Sequence, residues 1–137
     1  MQQVLELVVL CGVDVRVLLP RHSDQKVVHW AGLSYAEQLQ NKGVEIYLYD
    51  KGFSHQKVVL VDDEVCGIGT SNFDNRAMYL NFETTVLTFH EGFSKQVEQM
   101  LLNDFYDARH FKPQDDRIIR RFIGLRDHSA RLLAPLL

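Results

Sequence analysis

Residues 54–62 read SHQKVVLVD and contain side chains that can act on a phosphate diester. His55 and Lys57 are two residues apart on a predicted strand, so both are expected on one face of it. The ammonium group of Lys57 can neutralise phosphate oxygens, and the imidazole of His55 can attack phosphorus or protonate a leaving oxygen. Asp62 follows at the predicted strand end, where it can fix a turn or pair with a cation.

The next predicted strand brings small residues and polar donors to its end, in the run GIGTSN from residue 67 to residue 72. Thr70 and Asn72 are again two residues apart and share a face. The glycines Gly67 and Gly69 permit a close approach of backbone or ligand. This second cluster of polar groups is expected beside the first.

A catalytic histidine needs an acceptor on its second ring nitrogen, which sets its tautomer and orientation. Glu83 is the candidate acceptor for His55. Each feature also has an ordinary explanation: a surface histidine, a solvated lysine on an edge strand, a glycine-rich turn, and a hairpin turn at Asp62 and Asp63. It is their occurrence together, in this order, that indicates a site.

Helices and strands alternate along the chain, which predicts an α/β fold with a mixed β-sheet flanked by helices. One domain, residues 1–111, is expected to carry the site, with a basic tail at 112–137. The predicted elements are a helix at 4–10, a strand at 13–19, a helix at 26–42, strands at 45–49, 53–61 and 65–70, a short helix through 78, a strand at 82–89, a helix at 92–109 and a helical tail at 117–133.

The composition excludes several classes of protein. With 137 residues, 46% hydrophobic residues and a net charge of −3, the chain is globular rather than disordered. Its two cysteines, Cys11 and Cys66, lie in apolar runs and cannot form a disulfide scaffold. No metal site is predicted, because the histidines are dispersed and the cysteines lack paired spacing. No apolar run approaches the roughly 20 residues of a membrane span, and no secretory signal is recognised.

The order His55-x-Lys57-x4-Asp62, followed by the glycines and Ser71, resembles the HKD motif of the phospholipase D superfamily. The continuation through 72–76 and 80–83 resembles bacterial cardiolipin synthases of the phospholipase D type, and the likeness covers essentially the whole chain. It identifies the chain as similar to the C-terminal half of such an enzyme, with the second HKD motif. The resemblance implies a phospholipase D-like domain and transfer of a phosphatidyl group between two phosphatidylglycerols, giving cardiolipin and glycerol through a phosphohistidine.

The resemblance also implies a role for each matching residue. His55 is one of two active-site histidines. In the family the histidine of the first half is usually assigned as the nucleophile, which favours His55 as the acid–base partner. The sequence itself leaves this choice open. Lys57, Thr70 and Asn72 bind the phosphate, and Glu83 orients His55. Asp62 completes the motif, and no cofactor is implied.

One motif is present where the family has two. His110 also has a lysine two residues later, Lys112, but Arg117 stands where the motif has its aspartate, and the remaining histidines lack the lysine. The chain is therefore expected to pair with the N-terminal half of the same enzyme or with a second copy, and an isolated monomer is expected to be inactive. The resemblance implies a bacterial inner-membrane location for the full-length protein, with this fragment itself soluble. The alternatives are a homodimeric phospholipase D-like phosphodiesterase or nuclease, and a non-catalytic module that retains the fold.

Charge is distributed unevenly along the chain. Residues 1–111 carry a net charge of −6, which argues against nucleic acid as a partner. Residues 112–137 carry +3 and mix arginines with apolar residues. This tail is predicted either to lie as a basic amphipathic helix on an anionic membrane surface or to pack on the domain with a solvated cationic face.

Overall fold

A computed structural model describes residues 2–22, 26–72, 77 and 79–112. Within these ranges the main elements are three helices and six strands. The helices are α1 Gln2–Leu10, α2 Lys26–Gln40 and α3 Glu91–Tyr106. The strands are β1 Arg16–Pro20, β2 Glu45–Tyr49, β3 Val58–Val61, β4 Val65–Gly69, β5 Thr85–Thr88 and β6 Ala108–His110.

The first sheet has the strand order β1-β2-β6. β1 and β2 run parallel, in a register that pairs Arg16 with Glu45 and Pro20 with Tyr49, and α2 makes the crossover between them. β6 pairs antiparallel with β2. The buried core lies against this sheet, because the apolar residues of α2 and β2 meet there. Its members are Leu33, Ala36, Val44, Ile46 and Phe111.

The second sheet is antiparallel, with the order β3-β4-β5. A tight turn joins β3 to β4, closed by a hydrogen bond from the amide of Glu64 to the carbonyl of Val61 at 3.1 Å. Asp62 and Asp63 adopt positive φ angles of 48° and 57° in this turn. Aspartate tolerates this left-handed conformation better than most residues, which explains why the chain reverses here.

Helix α3 packs against both sheets. Its N-terminus is capped by His90, whose Nδ1 accepts a hydrogen bond from the amide of Phe93 at 3.1 Å. Ser94, near its beginning, donates to the carbonyl of Glu64 at 3.3 Å beside the second sheet. Phe105, near its end, makes an edge-to-face contact with Tyr47 of the first sheet, at 5.1 Å between ring centroids. The helix thereby fixes the two sheets relative to one another.

The α/β fold with helices on its sheets is confirmed, and the strands divide into two sheets. The predicted strand at 53–61 is wrong in its first half, because β3 begins only at Val58. The predicted helix at 92–109 ends at Tyr106, and its last residues instead form β6, paired with β2. Ala77 is helical, in agreement with the short predicted helix. The predicted tail lies outside the described residues beyond its first residue, Lys112.

None of the helices in the described ranges combines the length and the apolar character that a membrane crossing requires.

Candidate active site

His55 and Lys57 lie in an irregular segment that leads into β3. The prediction that they share one face of a strand is therefore wrong. They are held together in another way: the ammonium group of Lys57 donates a hydrogen bond to the backbone carbonyl of His55 at 2.8 Å. The imidazole of His55 is exposed and stacks on the ring of Phe53, with 5.8 Å between centroids and 13° between planes. An accessible imidazole and an ammonium group thus occur side by side.

Backbone hydrogen bonds place three segments next to one another at this end of the second sheet. The amide of Gly69 donates to the carbonyl of Lys57 at 3.1 Å, and the amide of Thr70 donates to the carbonyl of Thr84 at 3.0 Å. The segment of the HKD lysine, the end of β4 and the approach to β5 are therefore adjacent. Side chains from all three can act on one ligand.

Gly69 allows this approach. A Cβ atom at Gly69 would overlap the carbonyl oxygen of Thr84 and would lie 2.6 Å from Oγ1 of Thr85. Because the nearest obstacle is backbone, a side chain here cannot be accommodated by a simple change of rotamer. The close approach predicted for this glycine is thus confirmed, and its partner is backbone.

Glu83 is half-buried and accepts hydrogen bonds from two side chains. The hydroxyl of Thr70 donates to Oε2 of Glu83, and Nδ2 of Asn81 donates to Oε1 at 3.1 Å. The Thr70 hydroxyl in turn accepts a hydrogen bond from the amide of Thr84 at 3.1 Å. The Thr70 bond, then the Asn81 bond and then the charge of Lys57 lower the pKa of Glu83. The carboxylate is therefore anionic at neutral pH and lies within the electrostatic reach of Lys57.

The partners of Glu83 differ from the predicted one, His55. Among the residues that the structure describes, no hydrogen bond joins the two side chains; Glu83 contacts Thr70 and Asn81. Sequence reasoning did not assign Asn81 to the site. Its position two residues before Glu83, next to the strand predicted at 82–89, is the signal that could have placed both side chains on one face.

Asp62 lies at the opposite end of β3 from Lys57. Five residues of extended chain separate them, a distance of about 16 Å. Asp62 is exposed and forms the turn to β4, so the structure gives it a conformational role and places it away from the groups that can hold a phosphate. The expectation that Asp62 belongs to the reacting groups is not supported by this placement.

Asn72 is exposed just beyond the end of β4, where its backbone carbonyl accepts a hydrogen bond from the hydroxyl of Ser71 at 3.3 Å. This agrees with the predicted location of a polar donor at the strand end. Residues 73–76, which follow, lie outside the described ranges.

A cavity of about 190 Å³ opens beside His55. Part of its wall is held by a hydrogen bond of 2.7 Å between Nε2 of Gln56 and Oδ2 of Asp104 on α3. Polar groups dominate this wall, so the cavity is suited to a hydrophilic group next to the imidazole. The lining residues are Tyr49, Phe53, Ser54, His55, Gln56 and Asp104.

Comparison with known proteins points to one family. The chain is 49% identical over 133 residues to "Cardiolipin synthase A" of Pseudomonas entomophila (strain L48) and 48% identical to that of Pseudomonas putida. Each alignment covers 97% of this chain and 28% of the relative, so the chain spans little more than a quarter of the length of these proteins.

A solved structure has the same fold. It is a phospholipase D family member, Nuc from Salmonella typhimurium, and it superposes with a TM-score of 0.71 at 19% sequence identity. The match covers 81% of this chain and 72% of that one.

The sequence profile described as "Cardiolipin synthase, PLD-like domain" matches residues 1–105. Since this match covers most of the chain, the chain belongs to the cardiolipin synthase family of phospholipase D-like domains.

Proposed function

We propose that the chain supplies one of the two HKD motifs of an enzyme that transfers a phosphatidyl group between two phosphatidylglycerols. The products are cardiolipin and glycerol, and the reaction passes through a phosphohistidine. One observation supports the proposal most directly. The Lys57 segment lies next to the hydrogen-bonded Thr70–Glu83 pair, and His55 beside it is exposed. A cation and an imidazole together provide the charge neutralisation and proton transfer that a phosphate diester requires.

The proposed reaction has two steps. In the first, one histidine attacks the phosphorus of the donor lipid, the bond to the glycerol oxygen breaks, and this oxygen takes a proton from the second histidine. In the second, the terminal hydroxyl of the acceptor lipid attacks the phosphohistidine and gives its proton to the second histidine. Both histidines return to their initial states, and two phosphatidylglycerols give one cardiolipin and one glycerol.

The side chains of this site have separate roles in the proposed reaction. Lys57, Thr70 and Asn72 bind the oxygens of the reacting phosphate. His55 is one of the two histidines, and the proposal holds whether it is the nucleophile or the acid–base partner. Glu83 is anionic and close enough to Lys57 to stabilise its charge. In the complete site it would also provide the acceptor that orients His55.

The second histidine of the pair must come from elsewhere. We assign it to another HKD segment, either in the remaining length of the same protein or in a second copy of this chain. Two facts support this assignment: the relatives are more than three times as long as the matched segment, and one HKD motif occurs here. A phospholipid substrate also implies that the complete protein works at a membrane surface. The net charge of −3 gives no support to a nucleic-acid substrate.

The proposal can be tested in a hybrid synthase, in which this chain replaces the matching segment of the Pseudomonas entomophila cardiolipin synthase A. The hybrid is expressed in a bacterium without its own cardiolipin synthases, and lipids are measured by mass spectrometry. We expect cardiolipin to form, and His55→Asn to lower it by about 100-fold or more, as loss of acid–base or nucleophilic catalysis does.

The matched control is His90→Asn, an exposed histidine on the same domain. Asparagine is a good N-cap, so this variant keeps the cap of α3 and should leave cardiolipin unchanged. Cardiolipin that persists in the His55→Asn hybrid would contradict the proposal. Cleavage of nucleic acid by the hybrid, without cardiolipin, would favour the nuclease alternative.

A further inference from the structure

A second group of charged side chains lies at the end of the first sheet and takes no part in the proposed site. We call it the Asp50 cluster: Arg21, His22, Asp50 and Arg109. Nη1 of Arg21 and Nη2 of Arg109 lie 2.9 Å and 2.6 Å from the same oxygen, Oδ2 of Asp50. Nε2 of His22 lies 3.9 Å from the other oxygen. The cluster joins residues after β1, after β2 and within β6, so the pairing of three strands fixes its position.

The charges of this cluster do not balance. Both guanidinium groups are always protonated, whereas a single carboxylate faces them. Asp50 is the partner of each arginine within the described part of the chain. The carboxylate is 20% exposed, and the side chains of Arg21 and Arg109 are 40% and 70% exposed. Asp50 therefore holds two arginines that keep free N–H donors and an excess positive charge open to solvent.

The neighbouring ion pair behaves differently. Nζ of Lys51 lies 2.7 Å from Oδ1 of Asp107, one cation against one anion. That pair is neutral as a unit, although its lysine side chain is 66% exposed. The excess charge is thus a property of the Asp50 cluster and is not general along this edge. A planar guanidinium fork with free donors is the group that best matches phosphate oxygens.

The cluster and His55 lie at the same end of the domain. Asp50 begins the loop that leads to His55, and five residues span at most about 18 Å even when fully extended. The loop does not extend fully: Tyr49, at its start, and His55 line the same cavity. An anion bound by the arginines would therefore lie at the same end of the domain as the imidazole.

We propose that Arg21 and Arg109 bind the phosphate of the acceptor phosphatidylglycerol, while Lys57, Thr70 and Asn72 bind the phosphate that reacts. Asp50 acts as a positioning residue that holds the two guanidinium groups together. The inference rests on the proposed function, because a transfer between two phospholipids brings two phosphates to one site. It assigns the second of them to the end of the first sheet.

The test separates the two phosphates. In the hybrid synthase, exchange of the phosphatidylglycerol headgroup with labelled free glycerol needs the donor phosphate alone, because free glycerol carries no phosphate. Cardiolipin formation needs both. We expect the double variant Arg21→Gln, Arg109→Gln to raise the KM for phosphatidylglycerol in cardiolipin formation at least 10-fold, and to change glycerol exchange by less than twofold.

Two further variants keep the result interpretable. Lys51→Gln removes an exposed lysine from the neutral pair and should leave both reactions within twofold. Arg21→Lys with Arg109→Lys retains charge next to Asp50 but loses the forked geometry, so it should give an intermediate KM. Its intermediate value would separate a binding role from a failure of the glutamine variant to fold.

Equal loss of both reactions in the lysine variant would overturn the inference, because it would mean that the cluster serves the fold or the donor phosphate. Unchanged cardiolipin formation in the glutamine variant would also overturn it. A hybrid without substitutions that performs neither reaction would instead contradict the proposed function, and this inference with it.

Discussion

Glu83 accepts two hydrogen bonds that stabilise its charged form, from Thr70 and from Asn81. Its pKa lies below the ordinary value, so the carboxylate stays ionised on acidification longer than a free glutamate would. The proposed reaction depends on this charge, because a neutral Glu83 cannot orient an imidazolium or face Lys57 favourably. The low-pH limit of activity should therefore depend on the hydroxyl of Thr70.

Thr70→Val removes that hydroxyl and should raise the pKa of Glu83 toward its ordinary value. Activity that needs the anion is present above this pKa and is lost as the pH falls through it. The acidic limb of kcat/KM for cardiolipin formation should consequently shift to higher pH, measured in the hybrid synthase as a full pH profile.

Thr70→Ser keeps the hydroxyl that donates to Glu83, so its acidic limb of kcat/KM should lie at the wild-type pH. Thr88→Val is the matched control, since the hydroxyl of Thr88 accepts a hydrogen bond from the amide of His90 and does not contact Glu83. An acidic limb that stays in place in Thr70→Val, with lower activity at every pH, would show that the hydroxyl acts on the substrate alone.

The end of β4 has no room for a side chain at Gly69. The amide of Gly69 pairs with Lys57 on one side, and its Cα faces Thr84 and Thr85 on the other. Gly69→Ala places a methyl group against the Thr84 carbonyl and must push β5 away from β4. We expect it to lower the free energy of unfolding by about 2 kcal/mol, as overpacking commonly does. Urea denaturation of the chain measures this.

Gly32→Ala is the appropriate comparison, because Gly32 is exposed on α2 and a Cβ there meets nothing within 4 Å. Alanine in a helix should stabilise the chain by about 0.5–1 kcal/mol. Equal effects of the two substitutions would mean that the close approach of β4 and β5 does not limit the side chain at residue 69.

Periodicity and turn chemistry predict most of these elements. Glu45–Tyr49 is a strand with the predicted bounds, and the positive φ angles of Asp62 and Asp63 agree with the predicted turn. Prediction from local sequence fails where contacts with distant parts of the chain decide the structure. Ala108–His110 continues a helical pattern but pairs with β2, and residues 53–57 have a strand-like sequence yet form a loop against α3.

In the candidate site, too, local sequence predicts some features and strand pairing decides the others. His55, Lys57, Thr70 and Glu83 are found from residue type and spacing, since each lies next to a recognisable strand end. The direct contact between Glu83 and Thr70 depends on the pairing of β4 with β5. The Asp50 cluster joins three strands that are distant in sequence, so no short motif predicts it.

At the scale of the whole molecule, the described domain leaves large apolar side chains exposed. Leu87 of β5 and Val59 of β3 are 62% and 51% exposed, and their register places them on either side of Gly67 on one face of the second sheet. α1 has no buried residue, and its Leu7 is 61% exposed. Apolar area of this kind is usually covered by another part of a protein. It fits a domain that works as part of a larger assembly.

The proposed reaction needs two histidines in opposite protonation states on either side of one phosphorus. A monomer of this chain offers one HKD histidine. Three other histidines have different surroundings: His90 caps α3, His110 packs against Tyr47, and His22 lies in the Asp50 cluster. We therefore expect the purified chain, shown to be monomeric by sedimentation, to form no cardiolipin from phosphatidylglycerol in mixed micelles.

If two copies pair instead, activity should appear only at concentrations where sedimentation detects the dimer. Mixing wild-type chain with an excess of His55→Asn chain should then suppress it, because a mixed pair retains a single histidine. His90→Asn chain in the same excess should leave it unchanged. His55-dependent transfer by a demonstrated monomer would contradict the two-histidine requirement, because one imidazole would then have to act both as the nucleophile and as the acid.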